Sequence, residues 1–415
     1  MTTIRRLATL LAVSMCALLG TGMRSSPGAA GSPLRRAFEA GVDSLAESLA
    51  ALDTSLDARG TGISRAAFRR TRIAYKHQET LLSYFSPSTV SILNGPLGEE
   101  DDETPARPLG QLAAFQRVEH RLFSGETLAD SDRMALHDDV RWMLDVVVHF
   151  RALTGNVDVS ESQMLDAARL ELARVSVLSL AGVDSDESGD AIIECAEALE
   201  GIRSIIAVAR GSTEPARWHA LDGALGDAIA ALRQNTNVET MDRLEFISTH
   251  ARNVGREILM ARETLAPLNL TLRSVWRPAA ATLFERNAFD VTAYAPDFAL
   301  APSPDVIALG ERLFNDPQLS GPRTRSCASC HLPRLAFADG LVRQTSVSGS
   351  HAVARNTPTL LNAALQPTLF NDGRVATLEA QVSVVLASPA EMGGSVDLAA
   401  ARLNADTGYR AAFKR

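Results

Sequence analysis

Apolar residues recur every three or four positions through most of the chain from residue 33 to residue 265, the pattern of amphipathic helices. The apolar positions of the first predicted helix are Phe38, Val42, Leu45, Leu49 and Leu52. A second helix is predicted from Ser64, a residue suited to an N-cap, to the position before Pro87. Further helices are predicted over residues 109–123, 132–153, 161–180, 190–210, 215–233 and 238–265. This region is therefore predicted to be a bundle of roughly seven or eight helices.

A looser, proline-containing stretch over residues 266–302 separates this region from the last quarter of the chain, and we interpret it as a linker. A new helix is then predicted, with Ser303 as the N-cap, Pro304 at the first helical position and an apolar face that runs as far as Phe314. This helix leads to a pentapeptide whose chemistry stands out from the rest of the chain.

That pentapeptide, residues 327–331, consists of two cysteines three positions apart followed by a histidine, which is the attachment pattern of haem c. Each thiol can add to one haem vinyl group, and His331 can then bind the iron. A zinc site would need a second ligand pair, but the other cysteines, Cys16 and Cys195, are isolated. A thioredoxin-like dithiol would need a surrounding βαβ pattern, which the sequence lacks. Haem c on Cys327 and Cys330 is therefore the expected cofactor.

The composition, the net charge and the N-terminal segment give further predictions about the partners and the localisation of the protein. The hydrophobic content of 46% suffices for buried cores, and a net charge of −8 argues against nucleic acid as a partner. Two N-terminal arginines, an apolar run over residues 7–19 and small residues up to position 32 predict a signal peptide and spacer over residues 1–32. Export agrees with haem c, which bacteria attach on the periplasmic side, so we predict a periplasmic protein.

Short motifs from the apolar helix onward carry a resemblance to a known family. They occupy residues 313–316, 319–320, 326–331, 336–339, 355–362, 372–374, 378–381 and 389–392. In this order and spacing they resemble the N-terminal haem domain of the bacterial di-haem cytochrome c peroxidases, a family that includes the enzymes that mature methylamine dehydrogenase. The resemblance implies an all-α fold: a helical bundle over residues 33–265 followed by a cytochrome c-like haem domain over residues 303–415.

The resemblance also implies roles for individual residues. His331 corresponds to the proximal iron ligand, and Gln381 and Glu391 correspond to the pair in the distal pocket. Cleavage of a peroxide O–O bond needs a proton moved from the inner to the outer oxygen, and a carboxylate above the iron can do this. His351 is the candidate for a distal histidine that caps the resting iron, and Asn356 corresponds to a calcium ligand. From the residues alone, Glu391, Gln381 and His351 could equally be solvated polar residues.

Two features depart from the family. Asn371 stands where the family has a tryptophan between its haems, which puts long-range electron transfer through this position in doubt. The sequence holds a single Cys-x-x-Cys-His motif, so the second haem domain of the family is absent from this chain. We therefore expect either that the chain is a fragment or that the electron-donating haem is supplied elsewhere.

The bundle carries a fainter resemblance. Residues 72–79, 93–96 and 114–119 resemble the helical module that precedes some of these peroxidases, and through it, distantly, the imelysins. Imelysins carry Gly-x-His-x-x-Glu, where the histidine and glutamate share a helix face and could bind metal. Here Ala114 and Gln116 replace the first two residues, so metal binding is not expected. Glu79 and Glu119 are predicted instead to form a buried polar pair.

The function predicted from the sequence is an exported c-type haem peroxidase. Its substrate would be hydrogen peroxide, and its electrons would come from a small redox protein, a cytochrome c or a cupredoxin. The protein could also assemble as a homodimer. Two alternatives stay open: a ferryl-dependent oxidase of an organic or protein substrate, and a single-haem electron carrier with Met392 as the sixth ligand. A further hypothesis is that the helical module handles iron.

Overall fold

The computed structural model describes residues 32–58, 60–95, 113–125, 128–210, 216–263, 265, 275–299, 302–370 and 372–414. The predicted signal peptide, except residue 32, and Asn371 lie outside these residues. The chain divides between Leu268 and Asn269 into two compact units. The first unit is mostly helical and the second combines shorter helices with turns, and extended segments of the described residues pair only as isolated bridges, in agreement with the predicted all-α class. Over the same residues, the helices are too short or too polar to cross a membrane.

The first unit is a bundle of long helices around one apolar core. Its helices are α1 (Pro33–Ser55), α2 (Thr61–Phe85), α3 (Pro87–Asn94), α4 (Ala114–Phe123), α5 (Asp130–Thr154), α6 (Glu161–Val177), α7 (Ala191–Arg210), α8 (Ala216–Gln234), α9 (Arg243–Glu245) and α10 (Arg252–Glu263). A short 3₁₀ turn, Ser179–Ala181, lies between α6 and α7, and a π-helical segment, Phe246–Ala251, joins α9 to α10.

The apolar stripe predicted for the first helix is confirmed. The buried side chains of α1 are Leu34, Phe38, Val42, Leu45, Leu49 and Leu52. The hydroxyl of Ser32 accepts a hydrogen bond from the amide of Arg35, and Pro33 occupies the first turn, where a missing N–H costs nothing. These local features explain why the helix begins at this position.

The prediction that Ser64 caps the second helix is wrong. Helix α2 begins at Thr61 with Gly60 at the N-cap, and Ser64 lies within its first turn. The Ser64 hydroxyl donates instead to the carbonyl of Ser55 at 2.9 Å, which joins the start of α2 to the end of α1. The serine therefore contributes to helix packing rather than to helix initiation.

The last helix of the bundle also differs from its prediction over residues 238–265. The side chains of Asn235 and Asn237 accept hydrogen bonds from backbone amides two residues ahead, which holds the chain in turns before α9. Asp242 then caps the new helix by accepting from the amide of Glu245. The π-helical segment that follows places Phe246 and Ala251, five positions apart, both in the core.

The second unit has shorter helices joined by ordered turns. They are α11 (Pro304–Phe314), α12 (Leu378–Ala387), α13 (Val396–Ala405) and α14 (Thr407–Ala412). The predicted start of α11 is confirmed: Pro304 opens the helix, and the Ser303 hydroxyl accepts from the amide of Val306 at 3.2 Å. The 3₁₀ turns of this unit are Pro317–Leu319, Cys327–Ser329, Pro333–Leu335 and Ala363–Leu365.

Part of the stretch interpreted as a linker is folded. Within residues 275–299, Trp276 pairs with Phe289 in an antiparallel bridge, and Ala280 and Ala288 are buried. This segment groups with the second unit, whose boundary lies upstream of the predicted start at residue 303. Residues 275–299 therefore form a segment of turns, and the predicted bounds of the linker and the haem domain stay predictions.

Candidate functional site

The Cys-x-x-Cys-His motif forms one compact turn. Cys327–Ser329 is a 3₁₀ helix, and the amide of His331 donates to the carbonyl of Cys327 at 2.9 Å. Ser329 reinforces the turn by accepting from the amide of Ser326. Both thiols are free and half-buried. The turn therefore presents two free thiols and the imidazole within a single short segment.

The ring of His331 is held by a hydrogen bond to the backbone. Its Nδ1 lies 2.8 Å from the carbonyl oxygen of Phe337, and because a carbonyl only accepts, Nδ1 carries the proton and donates. Nε2 is then the nitrogen with a lone pair for a metal. Ala336 and Phe337 adopt left-handed backbone conformations, with φ of 54° and 62°, which turn the Phe337 carbonyl back toward His331.

This donor set fits haem c. Two free thiols can form the thioether bonds, and a neutral imidazole whose Nδ1–H is bonded to a carbonyl is the usual form of an iron ligand. The ring of Phe314 packs 6.4 Å from the ring of His331, between centroids, which adds an apolar wall on the side of α11. The predicted attachment residues and the predicted proximal ligand are therefore brought together.

Asp339 ties the segment after the motif into place. Its carboxylate is buried and accepts from the Thr357 hydroxyl at 2.7 Å and from the amide of Leu341 at 2.9 Å. The Thr359 hydroxyl donates to the carbonyl of Ala336 at 2.5 Å. These bonds join the segment at residues 336–339 to the segment at residues 355–362.

Glu391 lies on a tight turn that follows α12. The amides of Gly393 and Gly394 donate to the carbonyls of Ser388 and Leu386 at 2.8 and 2.9 Å. The amide of Val347 donates to the carbonyl of Ala390 at 2.8 Å, which fixes the turn from the other side. Glu391 itself is half-buried. The turn is thus held by backbone bonds on either side of the carboxylate.

The charges around the attachment turn act on the Cys330 thiol. Burial raises its pKa, Arg325 lowers it, and the charges of Asp339 and Glu391 raise it further. Gln381 is half-buried on α12, the helix that runs into the turn of Glu391. The catalytic roles of Glu391 and Gln381 stay predictions.

His351 and Asn356 are both exposed. The His351 ring lies 2.9 Å, at Nδ1, from the Ser350 hydroxyl, and its carbonyl accepts from the amide of Ser346 at 2.7 Å. Among the described residues there is no group of three or more histidine, cysteine or carboxylate side chains placed to hold a metal ion. Distal ligation by His351 and calcium binding by Asn356 both stay predictions.

Met392, the sixth ligand in the electron-carrier alternative, is 4% exposed, whereas Glu391 beside it is half-buried. Its carbonyl accepts from the amide of Gly321 at 2.8 Å, so the residue joins two backbone segments. Ligation of the iron by Met392 and the distal role of Glu391 both stay predictions.

The bundle contains a second group of charged residues, which periodicity did not reveal. We call it the bundle charge cluster; it consists of Arg72, Lys76, Glu79, Glu171, Arg174, Asp184 and Glu194. Arg72 pairs with Glu194 through two nitrogens, and Lys76 bridges Glu79 and Asp184 at 2.7 and 2.6 Å. Burial of Asp184 acts to raise its pKa, but the charges of Lys76 and Arg72 outweigh burial and hold the pKa well below its usual range.

Glu79 and Glu119, predicted to form a buried polar pair, are both buried but have separate partners. Glu79 accepts from Lys76, from Tyr75 at 3.0 Å and from Arg174 at 2.8 Å. Glu119 accepts from the amide of Ser188 at 3.0 Å, and burial raises its pKa to about 7. Tyr75 and Glu79 thus belong to the core of the bundle and not to a helix surface.

Comparisons with known proteins agree with this picture for the second unit. Residues 304–415 match the family model described as di-haem cytochrome c peroxidase. The methylamine utilization protein MauG of Methylorubrum extorquens is 42% identical over 27% of this chain and 31% of its own length. The cytochrome c peroxidase Ccp of Escherichia coli K12 is 38% identical over 26% of this chain and 23% of its own length.

A third relative, the cytochrome-c peroxidase IdrP1 of Denitromonas iodatirespirans, is 38% identical over 26% of this chain and 29% of its own length. A crystal structure of a MauG-like protein associated with microbial copper homeostasis is 36% identical over 29% of this chain and 39% of that chain, with a TM-score of 0.25. The chain thus spans between 23% and 31% of the lengths of the three relatives. The family resemblance is confirmed for the C-terminal segment, and the imelysin resemblance stays a prediction.

Proposed function

We propose that this chain is a periplasmic c-type haem peroxidase that reduces hydrogen peroxide with electrons from a small redox protein, a cytochrome c or a cupredoxin. The observation that carries the proposal is the hydrogen bond from His331 Nδ1 to the Phe337 carbonyl, beside two free thiols. The relatives named cytochrome c peroxidase support the same class of oxidoreductase.

Haem c, when bound through Cys327 and Cys330, would supply the redox chemistry and the metal to which peroxide binds. The chain's own contribution begins with His331, whose bond to the Phe337 carbonyl fixes the ring and increases the electron density at Nε2. A more basic imidazole would favour cleavage of a peroxide O–O bond by the haem when it is bound. The charge of Glu391 raises the pKa of the Cys330 thiol, which supports a place for this carboxylate near the attachment turn.

Glu391 would act as the general acid–base group. It would take the proton from the inner oxygen of hydrogen peroxide and deliver it to the outer oxygen, which leaves as water. Two electrons from the donor protein and two further protons would convert the remaining oxygen into a second water. Gln381, on the helix that leads to the Glu391 turn, would orient the peroxide by hydrogen bonding.

A second candidate directs the same oxidising power at an organic or protein substrate. The match to methylamine utilization proteins favours it, since one of them is 42% identical over the matched region. The two candidates share the haem, His331 and Glu391, and they differ in what supplies the electrons. Oxidation of a reduced cytochrome c on addition of peroxide supports the first candidate, and its absence with intact peroxide reactivity supports the second.

The first experiment asks whether haem is attached. The protein would be expressed in a host with the cytochrome c maturation system and examined by haem staining on a denaturing gel. We expect covalent haem in the wild type and in the control Cys195→Ala, whose thiol is buried in the bundle. We expect none in the double variant Cys327→Ala, Cys330→Ala. A wild-type protein without covalent porphyrin would refute the proposed function.

A further inference from the structure

One arginine of the second unit binds only to backbone. Arg402, half-buried on α13, donates from Nη1 to the carbonyls of Gln318 and Ser320 at 2.7 and 2.6 Å, and from Nη2 to the carbonyl of Gly321 at 2.8 Å. These three carbonyls belong to the loop that connects α11 to the haem-attachment turn. The guanidinium therefore ties three carbonyls of this loop to α13.

On one side, this loop holds the segment that enters the attachment turn. The hydroxyl of Ser320 is buried and accepts from the amides of Thr324 and Arg325, both at 3.2 Å. Arg325 is two residues before Cys327. The position of Ser320, which Arg402 binds at its carbonyl, thus determines how the chain approaches Cys327.

On its other side, the same loop holds the turn of Glu391. The amide of Gly321 donates to the carbonyl of Met392 at 2.8 Å. The two backbones are so close that a Cβ atom on Gly321 would lie 1.9 Å from the carbonyl oxygen of Gly393. With no side chain between them, any displacement of Gly321 must displace the turn as well.

We infer that Arg402 is a positioning residue for Glu391, an inference that rests on the proposed function. It acts through Gly321 and Met392: the guanidinium fixes the loop, the loop fixes the turn, and the turn sets where the carboxylate stands relative to the haem-attachment motif. Arginine suits this task because its planar fork offers donors from two separate nitrogens in a fixed geometry, whereas lysine carries its three donors on one freely rotating nitrogen.

The test is Arg402→Lys in the haem-loaded protein, with Arg410→Lys as the matched control, since Arg410 is an exposed arginine on the next helix, α14. The first readout is amide hydrogen exchange, which does not depend on activity. We expect faster exchange in Arg402→Lys both at residues 317–325 and at residues 388–395, with covalent haem retained and the control unchanged. Faster exchange confined to residues 317–325 would overturn the inference.

The second readout is peroxide reduction. We expect Arg402→Lys to lower kcat by about 10- to 100-fold, the scale of a catalytic group displaced by about 1 Å. In a Glu391→Gln background the same substitution should cost little more, because both changes act on one carboxylate. If the fold reductions in kcat of the two substitutions multiply in the double variant, Arg402 acts independently of Glu391 and the inference is overturned.

Arg402→Gln supplies a second variant with the same two readouts, for the case that lysine prevents folding. Failure of the inference is distinguishable from failure of the proposed function. A wild-type holoprotein that does not reduce peroxide refutes the function, whereas the exchange result still decides whether Arg402 holds the Glu391 turn.

Discussion

In the bundle, buried cations form ion pairs with carboxylate side chains inside an apolar core. In the second unit, by contrast, Arg402 donates hydrogen bonds to the backbone carbonyls of a loop. Lys76 and Asp184 are 108 positions apart in the chain, and both are almost completely buried. Most of the apolar residues buried in the second unit are alanines; the larger ones are Leu369, Leu386, Met392 and Tyr409. The bundle therefore carries its own core, and the second unit is organised by hydrogen bonds within its loops.

This difference predicts which property of the protein a substitution changes most in each unit. Removing a buried charge from the bundle leaves its partners unpaired in an apolar environment, so the free energy of unfolding changes most. Removing a group from the loops of the second unit changes the placement of His331 or Glu391, so the chemistry changes most. Four substitutions test this division, starting with the largest expected effect.

The first substitution, His331→Ala, should abolish peroxide reduction, because it removes the only imidazole of the attachment turn while the thiols remain. Peroxide-dependent oxidation of a reduced donor protein measures the loss, and the helical signal of the bundle in circular dichroism should stay unchanged. The control is His149→Ala, an exposed histidine on α5 of the bundle, which should keep the haem-bound protein active. Residual turnover in His331→Ala would remove this histidine from the proposed mechanism.

The second substitution, Lys76→Met, should destabilise the bundle by about 3 to 5 kcal/mol, because it leaves the buried carboxylates of Glu79 and Asp184 without their shared cation. Urea unfolding followed by far-UV circular dichroism measures the change. Arg69→Ala is the matched control: its ion pair with Asp190 is 2.6 Å long but exposed, so the cost should stay below about 1 kcal/mol. Equal costs for the two variants would contradict the comparison.

The third substitution, Glu391→Gln, should slow peroxide reduction by about 100-fold or more while haem stays attached, since the amide cannot transfer the proton. Steady-state assays on the haem-loaded protein measure the effect. The control is Glu379→Gln on α12, an exposed carboxylate on the helix that precedes the Glu391 turn. Unchanged turnover in Glu391→Gln would exclude it as the general acid–base group.

The fourth substitution concerns pH and has the smallest expected effect. Burial raises the pKa of Glu119 from 4.5 to about 7, so the folded protein retains a proton that the unfolded chain has already released. Stability should therefore fall as the pH rises through this window. Between about pH 5 and about pH 6.5, the wild type should lose about 2 kcal/mol more than Glu119→Gln.

Urea titrations at the two pH values measure that difference. The amide of Glu119→Gln keeps an acceptor for the amide of Ser188, so the fold should persist. The exposed Glu47→Gln on α1 is the control and should show the same pH dependence as the wild type. Parallel pH profiles for the wild type and Glu119→Gln would show that Glu119 does not titrate in this range.

Local signals in the sequence predicted the helices well where their causes were local. The Ser303 cap with Pro304, and the stripe of apolar residues on α1, depend only on residues within a few positions of each other. Ser64 failed as a cap because a hydroxyl can bond either to its own helix start or to a neighbouring chain segment, and the packing of α1 against α2 selected the second.

Interactions between residues far apart in the sequence could not be predicted in this way. Arg72 and Lys76 look like surface residues along the chain, and only the fold encloses them with Asp184 and Glu194. In the second unit, spacing alone predicted Cys327, Cys330 and His331. The hydrogen-bond partner of His331 could not be predicted from the sequence. It depends on left-handed conformations at Ala336 and Phe337, which alanine and phenylalanine residues rarely adopt in proteins.

The π-helical segment Phe246–Ala251 has a consequence for how this helix tolerates a change in length. Its wider turn accommodates one more residue than an ordinary helical turn, while Phe246 and Ala251 on either side both stay in the core. Deleting one position between Phe246 and Ala251 should therefore restore a regular helix without rotating α10.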